Sequence, residues 1–419
     1  RQLFSDYLPP FKKAVEEGVA TIMTSYNSID GVPCTSNKYL LTDILRDQWG
    51  FKGFVYSDLT SIEGIVGARV AKDNKEAAVL ALKAGLDMDL GGNAYGKNLQ
   101  KALEEGAITM DDLNRAVANV LRLKFRMGLF ENPYVSPEQA KQVVRSKAHK
   151  ELAHEVAREG IVLLKNEGVL PLKKNIGSIA VIGPNADMMY NQLGDYTAPQ
   201  ERKEIVTVLD GIRKAVSPST KVNYVKGCAI RDVTTSNIPA AVEAVRAADA
   251  VVLVVGGSSA RDFKTKYIGT GAADVSNDGN QLLSDMDCGE GYDRSTLRLL
   301  GDQEKLLKAV AATGKPLVVI YIQGRTLNMN LASEKAQALL TAWYPGEQGG
   351  AAIADVLFGD YNPAGRLPVS VPRSEGQLPL FYSQGKQRAY VEEEGTPLYA
   401  FGYGLSYTKF DYSQLELQK

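Results

Sequence analysis

Lys52-Gly53-Phe54-Val55-Tyr56-Ser57-Asp58 is the stretch whose reading decides the fold. A glycine precedes a short apolar run and a carboxylate follows it. Such a run reads as a buried parallel strand whose last residue leaves the sheet. In a β/α-barrel the C-terminal strand ends face the substrate, so an Asp there is placed for chemistry. The same Asp also suits the cap of a helix starting at Thr60 or Ser61.

Working outward, residues 1–130 repeat one pattern. Helical stretches at Leu8–Glu17, Leu40–Gln48, Lys75–Lys83, Asn98–Glu105 and Met110–Met127 alternate with short strands. The strands are Val19–Tyr26, the stretch ending at Asp58, and Gly85–Leu90. The last of these helices opens on Asp111 and Asp112, which favour a helix N-terminus. Strands alternating with helices imply parallel β/α units. Three units are fewer than the eight of a closed barrel, so the pattern reads as the C-terminal part of a (β/α)8 TIM-like barrel whose front lies upstream. Such a piece would leave an unpaired edge and an open apolar interior, which favours pairing with another copy or with a further segment.

Asn132-Pro133-Tyr134 starts a linker, and a helix over Ala148–Glu159 follows. A second α/β pattern spans 176–371. Its strands are Ile179–Ile182, Val222–Val225, Ala250–Val255, Leu317–Ile322 and Ala338–Ala342, joined by crossover helices such as Ile238–Ala248 and Gln303–Ala312. Uniformly apolar strands are covered on both faces, which gives a three-layer αβα sandwich. The organisation expected is therefore a barrel segment over residues 1–130, a linker and connecting helix over 131–175, a sandwich over 176–371 and a C-terminal packing segment over 372–419. In that last segment, alternating aromatics and glycines at Phe401–Tyr407 suggest a loop packed on the core. Ser258 to Leu300 is an unusually long insertion, and long loops in compact domains are commonly functional. It carries Glu290 between two glycines, with Asp293-Arg294 suited to a locking ion pair.

Composition excludes several classes. The 419 residues are 44% hydrophobic and 23% charged, with a net charge of -1, which provides no field for nucleic acid or an anionic membrane. No apolar run approaches a membrane span. Cys34, Cys228 and Cys288 are too scattered for a zinc pattern or a disulfide framework. His149 and His154 are expected on the surface, at a spacing wrong for one helix face, so neither a zinc site nor a Ser-His-Asp enzyme is expected, and no metal ligands are assigned. The turns after the apolar strands lack a G-x-G-x-x-G fingerprint, and Pro184 removes a backbone donor, which argues against a dinucleotide. The chemistry must rest mainly on carboxylates.

Several stretches together resemble glycoside hydrolase family 3, the β-glucosidase and β-xylosidase family, in its Bacteroides-type branch. They are Met23-Thr24-Ser25-Tyr26-Asn27, Gly31-Val32-Pro33-Cys34, Trp49 to Asp58, Ala84-Gly85-Leu86-Asp87-Met88, Val162-Leu163-Leu164-Lys165-Asn166, Gly289-Glu290-Gly291-Tyr292-Asp293-Arg294, Trp343-Tyr344-Pro345-Gly346, Gly365-Arg366-Leu367-Pro368 and Phe401-Gly402-Tyr403-Gly404. The resemblance implies a barrel followed by a sandwich, with the active site at their junction. It implies Asp58 as nucleophile, Glu290 on loop 258–300 as acid/base, and Tyr26, with Met23 and Leu59, against the substrate. It implies retaining, exo-acting hydrolysis of a β-glucoside or oligosaccharide, no cofactor, and a periplasmic or secreted location.

The chemistry agrees with these residue types. Retaining hydrolysis needs two carboxyls about 5–5.5 Å apart, one ionised to attack the anomeric carbon and one holding a proton for the leaving group. Ser57 and Tyr26 are expected to donate hydrogen bonds to the Asp58 anion. Leu59 stands where the family usually has Trp, and the family's Lys-His motif has no counterpart here. The alternatives are a β-xylosidase/α-L-arabinofuranosidase, or an inactive sugar-binding fragment lacking the front of the barrel.

Overall fold

The computed structural model describes residues 1–260, 285–290, 293–385 and 388–409, together with positions 411, 413 and 416. Contacts divide the chain into two compact units, the first Arg1–Ala140 and the second from Lys141 onward.

In the first unit, strand β1 is Thr21–Met23. A small hairpin of β2, Ser28–Ile29, and β3, Val32–Pro33, follows, and then β4, Phe54–Tyr56. Asp30 and Gly31 both have positive φ (50° and 81°), as a two-residue hairpin turn requires. β1 and β4 pair in parallel with Ile22 opposite Val55. The third expected strand, 85–90, is reduced to a single parallel bridge from Tyr56 to Met88. The cause is local. The Asp87 carboxylate takes the Val55 N–H at 2.8 Å, while the Val55 carbonyl accepts from the N–H groups of both Asp87 and Met88. A side chain has replaced a ladder bond, and a regular strand cannot continue through it.

Helices Ser61–Gly67 and Asn74–Ala84 and the π-wound helix Tyr39–Gln48 cover these strands. They bury Leu41, Leu45, Ile62, Ile65, Ala77, Ala81 and Leu86 around Val55, in one continuous apolar cluster. Helix Met110–Arg126 starts in a reciprocal capping box between Thr109 and Asp112, in line with the acidic start expected there. A hollow of about 790 Å³ lies beside β1, lined by Leu8, Phe11, Ile22, Met23, Leu45 and Trp49 among others.

The second unit is built on a six-stranded sheet. Its strands are β5, Val162–Asn166; β6, Ser178–Ile182; β7, Lys221–Val225; β8, Ala250–Gly256; β9, Leu317–Ile322; and β10, Ala338–Trp343. The spatial order is β5-β10-β9-β8-β6-β7. All neighbours are parallel except β5, which pairs antiparallel with β10. The five strands expected from the sequence are all present. Val162–Asn166, read as belonging to the connecting segment, is an additional sheet strand. Its run of Val162, Leu163 and Leu164 is buried on both faces, which is why no alternation announced it.

One face of the sheet buries Leu209, Ile212, Ile353 and Leu357 from helices Val208–Ala215 and Gly349–Phe358, with Ala157 from helix Lys147–Gly160. The other buries Ala241, Val245, Leu306 and Val310 from helices Ile238–Arg246 and Gln303–Ala311. This is the three-layer sandwich expected. The C-terminal aromatic segment is packed onto it. Leu405 N–H bonds the Leu163 carbonyl, Tyr403 the Leu164 carbonyl at 3.2 Å, and Tyr407 the Val356 carbonyl at 2.6 Å.

Candidate active site

Asp58 stands one residue beyond Ser57, at the C-terminal end of β4. Its carboxylate accepts from the neighbouring Leu59 N–H at 2.7 Å. It does not cap the helix that begins at Ser61, where Thr60 holds the cap position in a left-handed conformation, φ 56°, without a side-chain cap bond. The capping alternative is therefore set aside. The Tyr26 hydroxyl donates to the Leu59 carbonyl at 2.6 Å and so braces the turn that carries Asp58.

Ser57 corrects an expectation. Its hydroxyl accepts from Leu90 N–H at 2.8 Å and faces Asp89 at 3.5 Å rather than serving Asp58. Alternation explains this, because adjacent residues leaving a strand point to opposite sides. Asp89 in turn accepts from the N–H groups of Ala94 and Tyr95 at 2.8 and 3.1 Å. Thr24, Thr35 and Ser61 form a buried hydroxyl chain, each step 3.1 Å. The hydroxyl chain links the end of β1 to the start of helix Ser61–Gly67, while Ser57 with Asp89 and Leu90 links the end of β4 to the 85–90 segment. Sequence reasoning noted polar strand ends but had no way to pair them. Met23 is 46% exposed and Leu59 half-buried. Leu59 occupies the space that a Cβ on Gly91 would enter, at 2.2 Å.

Asp87 and Arg46 lie behind β4. The pair is 2.5 Å apart, and the Asp87 side chain is fully buried. Asn119 donates to the same carboxylate at 3.0 Å. Burial pushes the Asp87 carboxyl up from its ordinary value, against the opposing pull of Arg46.

In the second unit Glu290 belongs to the long insertion, of which 261–284 and 291–292, including Gly291 and Tyr292, lie outside the described residues. The described stretch, 285–290, lies at the C-terminal ends of the parallel strands. There β6 has β7 on one side and β8 on the other, so the connections diverge. Open α/β sheets bind ligands at such switch points. Gly256 makes the turn out of β8 with φ 137°, and a Cβ there would meet the Ile322 carbonyl oxygen at 1.9 Å. From this turn Ser258 exchanges bonds with Asp287. Its N–H donates to the carboxylate at 2.6 Å, and its carbonyl accepts the Asp287 N–H at 2.8 Å.

Arg294 also departs from expectation. Its guanidinium pairs with Asp287 at 2.6 Å, not with the adjacent Asp293. Neighbouring side chains rarely face each other, whereas a turn can bring residue 287 opposite 294. Asp285 accepts from the N–H groups of Ile230 and Arg231 at 2.9 and 2.8 Å. The Glu290 N–H donates to Asp195 at 3.4 Å. Burial pushes the Cys288 thiol up to about 11, so it is a poor thiolate source at neutral pH.

His149 is exposed, as expected, but His154 is half-buried with Nε2 2.8 Å from the Asp355 carboxylate. Among the described residues no three His, Cys, Asp or Glu side chains gather as a metal site, and no helix is long and apolar enough to cross a membrane.

Comparison with known proteins gives two family matches. Residues 1–123 match the glycosyl hydrolase family 3 N-terminal domain, and 161–407 match the C-terminal domain. The chain is 39% identical over 456 aligned positions to a periplasmic beta-glucosidase of Salmonella typhimurium, covering 100% of this chain and 56% of that protein. It is 38% identical to a beta-xylosidase of Formosa agariphila, covering 100% of this chain and 57% of that protein. The chain thus spans about half the length of the curated relatives it matches. Among solved structures, a beta-glucosidase from Listeria innocua in complex with glucose superposes with a TM-score of 0.86 at 30% identity, over 98% of this chain and 55% of that one. A β-glucosidase from Erythrobacter marinus superposes at 0.85 with 37% identity, over 97% of this chain and 55% of that one.

Proposed function

Because the chain belongs to glycosyl hydrolase family 3, we propose that the whole protein is a retaining, exo-acting β-glucosidase that releases a non-reducing terminal glucose. Asp58 is the nucleophile and Glu290 the acid/base. In the first step the Asp58 carboxylate attacks the anomeric carbon. The glycosidic bond breaks, and Glu290 gives its proton to the leaving oxygen. In the second step Glu290 removes a proton from water, and the water oxygen displaces Asp58 from the sugar with net retention. Tyr26, Met23 and Leu59 flank the sugar. In this reading residues 1–130 are the glycosidase barrel segment, 131–175 the connecting segment, whose Val162–Asn166 adds an edge strand to the sheet of the sandwich over 176–371, and 372–419 the packing tail.

The observation that carries the assignment is the placement of Asp58. It leaves a parallel strand at the C-terminal end, where β/α units present catalytic groups, and its carboxylate is not spent on the following helix. Glu290, beside a topological switch point, suits the partner role. The Salmonella relative's name supports glucose as the sugar and an exported, periplasmic or secreted, location.

A second reading, β-xylosidase/α-L-arabinofuranosidase, draws on the Formosa relative. A panel of aryl β-glucosides, β-xylosides and α-L-arabinofuranosides separates the two by kcat/KM. The nucleophile is tested by trapping with a 2-deoxy-2-fluoro glucoside and mapping the labelled peptide. A label on Asp58 is expected, and a label on any other carboxylate removes the assignment. Titration with sugar that shows binding but no turnover would leave a sugar-binding protein.

A further inference from the structure

We infer that Asp287, through its buried ion pair with Arg294, is the positioning residue for Glu290. The inference rests on the reading of Glu290 as acid/base. Asp287 precedes Glu290 by three residues and Arg294 follows it by four, so the pair pins both flanks of the carboxyl. The two side chains are 1% and 5% exposed and 2.6 Å apart. The Asp287 carboxylate is held from the other side by the Ser258 N–H at 2.6 Å. Arg294 also donates to the Arg298 carbonyl.

Two further anchors act on the same segment. Asp285 is clamped to the backbone N–H groups of Ile230 and Arg231, and Arg231 returns a bond to the Met286 carbonyl at 2.9 Å. Between these anchors and Glu290, Gly289 turns the chain at φ 131°, where a Cβ would strike Met286 at 2.3 Å and approach Asp195 at 3.2 Å. Glu290 therefore hangs from a clamped base on a tight turn. Its direction depends on where residue 287 sits, and residue 287 is located by Ser258 together with its charge partner Arg294.

A general acid works only within hydrogen-bond reach of the leaving oxygen, and a displacement of about 1 Å costs about 10²-fold in rate. Loss of the clamp should therefore weaken protonation of the leaving group and leave nucleophilic attack intact. Leaving-group dependence reads that distinction, because a good leaving group needs no acid, whereas a general loss of folded enzyme lowers all substrates equally.

The test uses the full-length protein with Asp287→Asn, Arg294→Lys and Glu290→Ala, assayed on a series of aryl β-glucosides whose phenols span a wide acidity range. For Asp287→Asn, kcat/KM on alkoxyphenyl glucosides should fall about 10²-fold and on dinitrophenyl glucosides less than about 3-fold. Arg294→Lys keeps the charge but loses the fork, so it should show the same selectivity with a smaller loss. It also reads the effect should Asp287→Asn fail to fold. Azide should accelerate Glu290→Ala on activated substrates and leave Asp287→Asn largely unchanged. If Glu290→Ala is leaving-group selective while both clamp variants lose activity uniformly or not at all, the positioning role is overturned. If Glu290→Ala itself loses activity uniformly, the acid/base reading falls and the positioning role falls with it.

Discussion

Replacing Asp87 by Ala tests how the strand that carries Asp58 is held. In the native unit the Asp87 carboxylate neutralises Arg46, whose side chain is 15% exposed, and accepts from Val55 N–H and the Asn119 amide. The Ala variant strands a mostly buried guanidinium and leaves two donors without their acceptor, while Arg46 keeps its bond to the Gly53 carbonyl at 3.1 Å. Breaking a buried pair from one side costs about 3–5 kcal/mol. Asp87→Asn keeps the shape and one acceptor, so the loss should be smaller, about 1.5–3 kcal/mol. The two tryptophans allow the measurement, since Trp49 is half-buried against the first unit's core and Trp343 ends β10 in the second. In a Trp343→Phe background, Trp49 fluorescence follows urea unfolding of the first unit. With a urea slope of about 2 kcal/mol per M, the Ala midpoint should fall by about 1.5–2.5 M. A fall below about 0.5 M would refute the reasoning, because the pair would then contribute no more than its own desolvation cost. An Asn variant as unstable as Ala would show that the Asn acceptor recovers nothing and that the carboxylate's charge sets the whole cost.

Gly53→Ala should destabilise the first unit by about 3 kcal/mol, since the new Cβ would lie 1.9 Å from the Ala20 carbonyl oxygen. The same Trp49 titration checks it, and native stability would contradict it. Ile320 is fully buried in the central strand β9, so Ile320→Ala should cost about 2–5 kcal/mol and Ile320→Val about 1 kcal/mol, read from Trp343 in a Trp49→Phe background. The Leu297 N–H holds the Glu375 carboxyl below its ordinary value. A depressed folded value stabilises the fold above the unfolded value, about 4.3, and that contribution is lost as pH falls through the folded value. Glu375→Gln should therefore be less stable than the native protein at pH 7, with the gap closing as the pH falls below the unfolded value. A gap that widens on acidification would reverse the sign and sink this account.

The amino-acid sequence by itself determined the alternation of strands and helices, the five parallel strands of the sandwich and the exit of Asp58 from its strand. These follow from local periodicity and from apolar runs that have only one stable environment. Its motifs also carried the family resemblance. Tertiary structure alone decided which polar groups meet. Arg294 chose Asp287 over its neighbour Asp293, Ser57 turned to Leu90 and Asp89 rather than Asp58, and Asp87 took a backbone N–H that a strand would have used. Val162–Asn166 became a sheet strand only because β10 offered it an edge. A hydrogen bond or ion pair is a choice among partners distant in sequence, made when burial removes water as the alternative. No window of local sequence contains that competition.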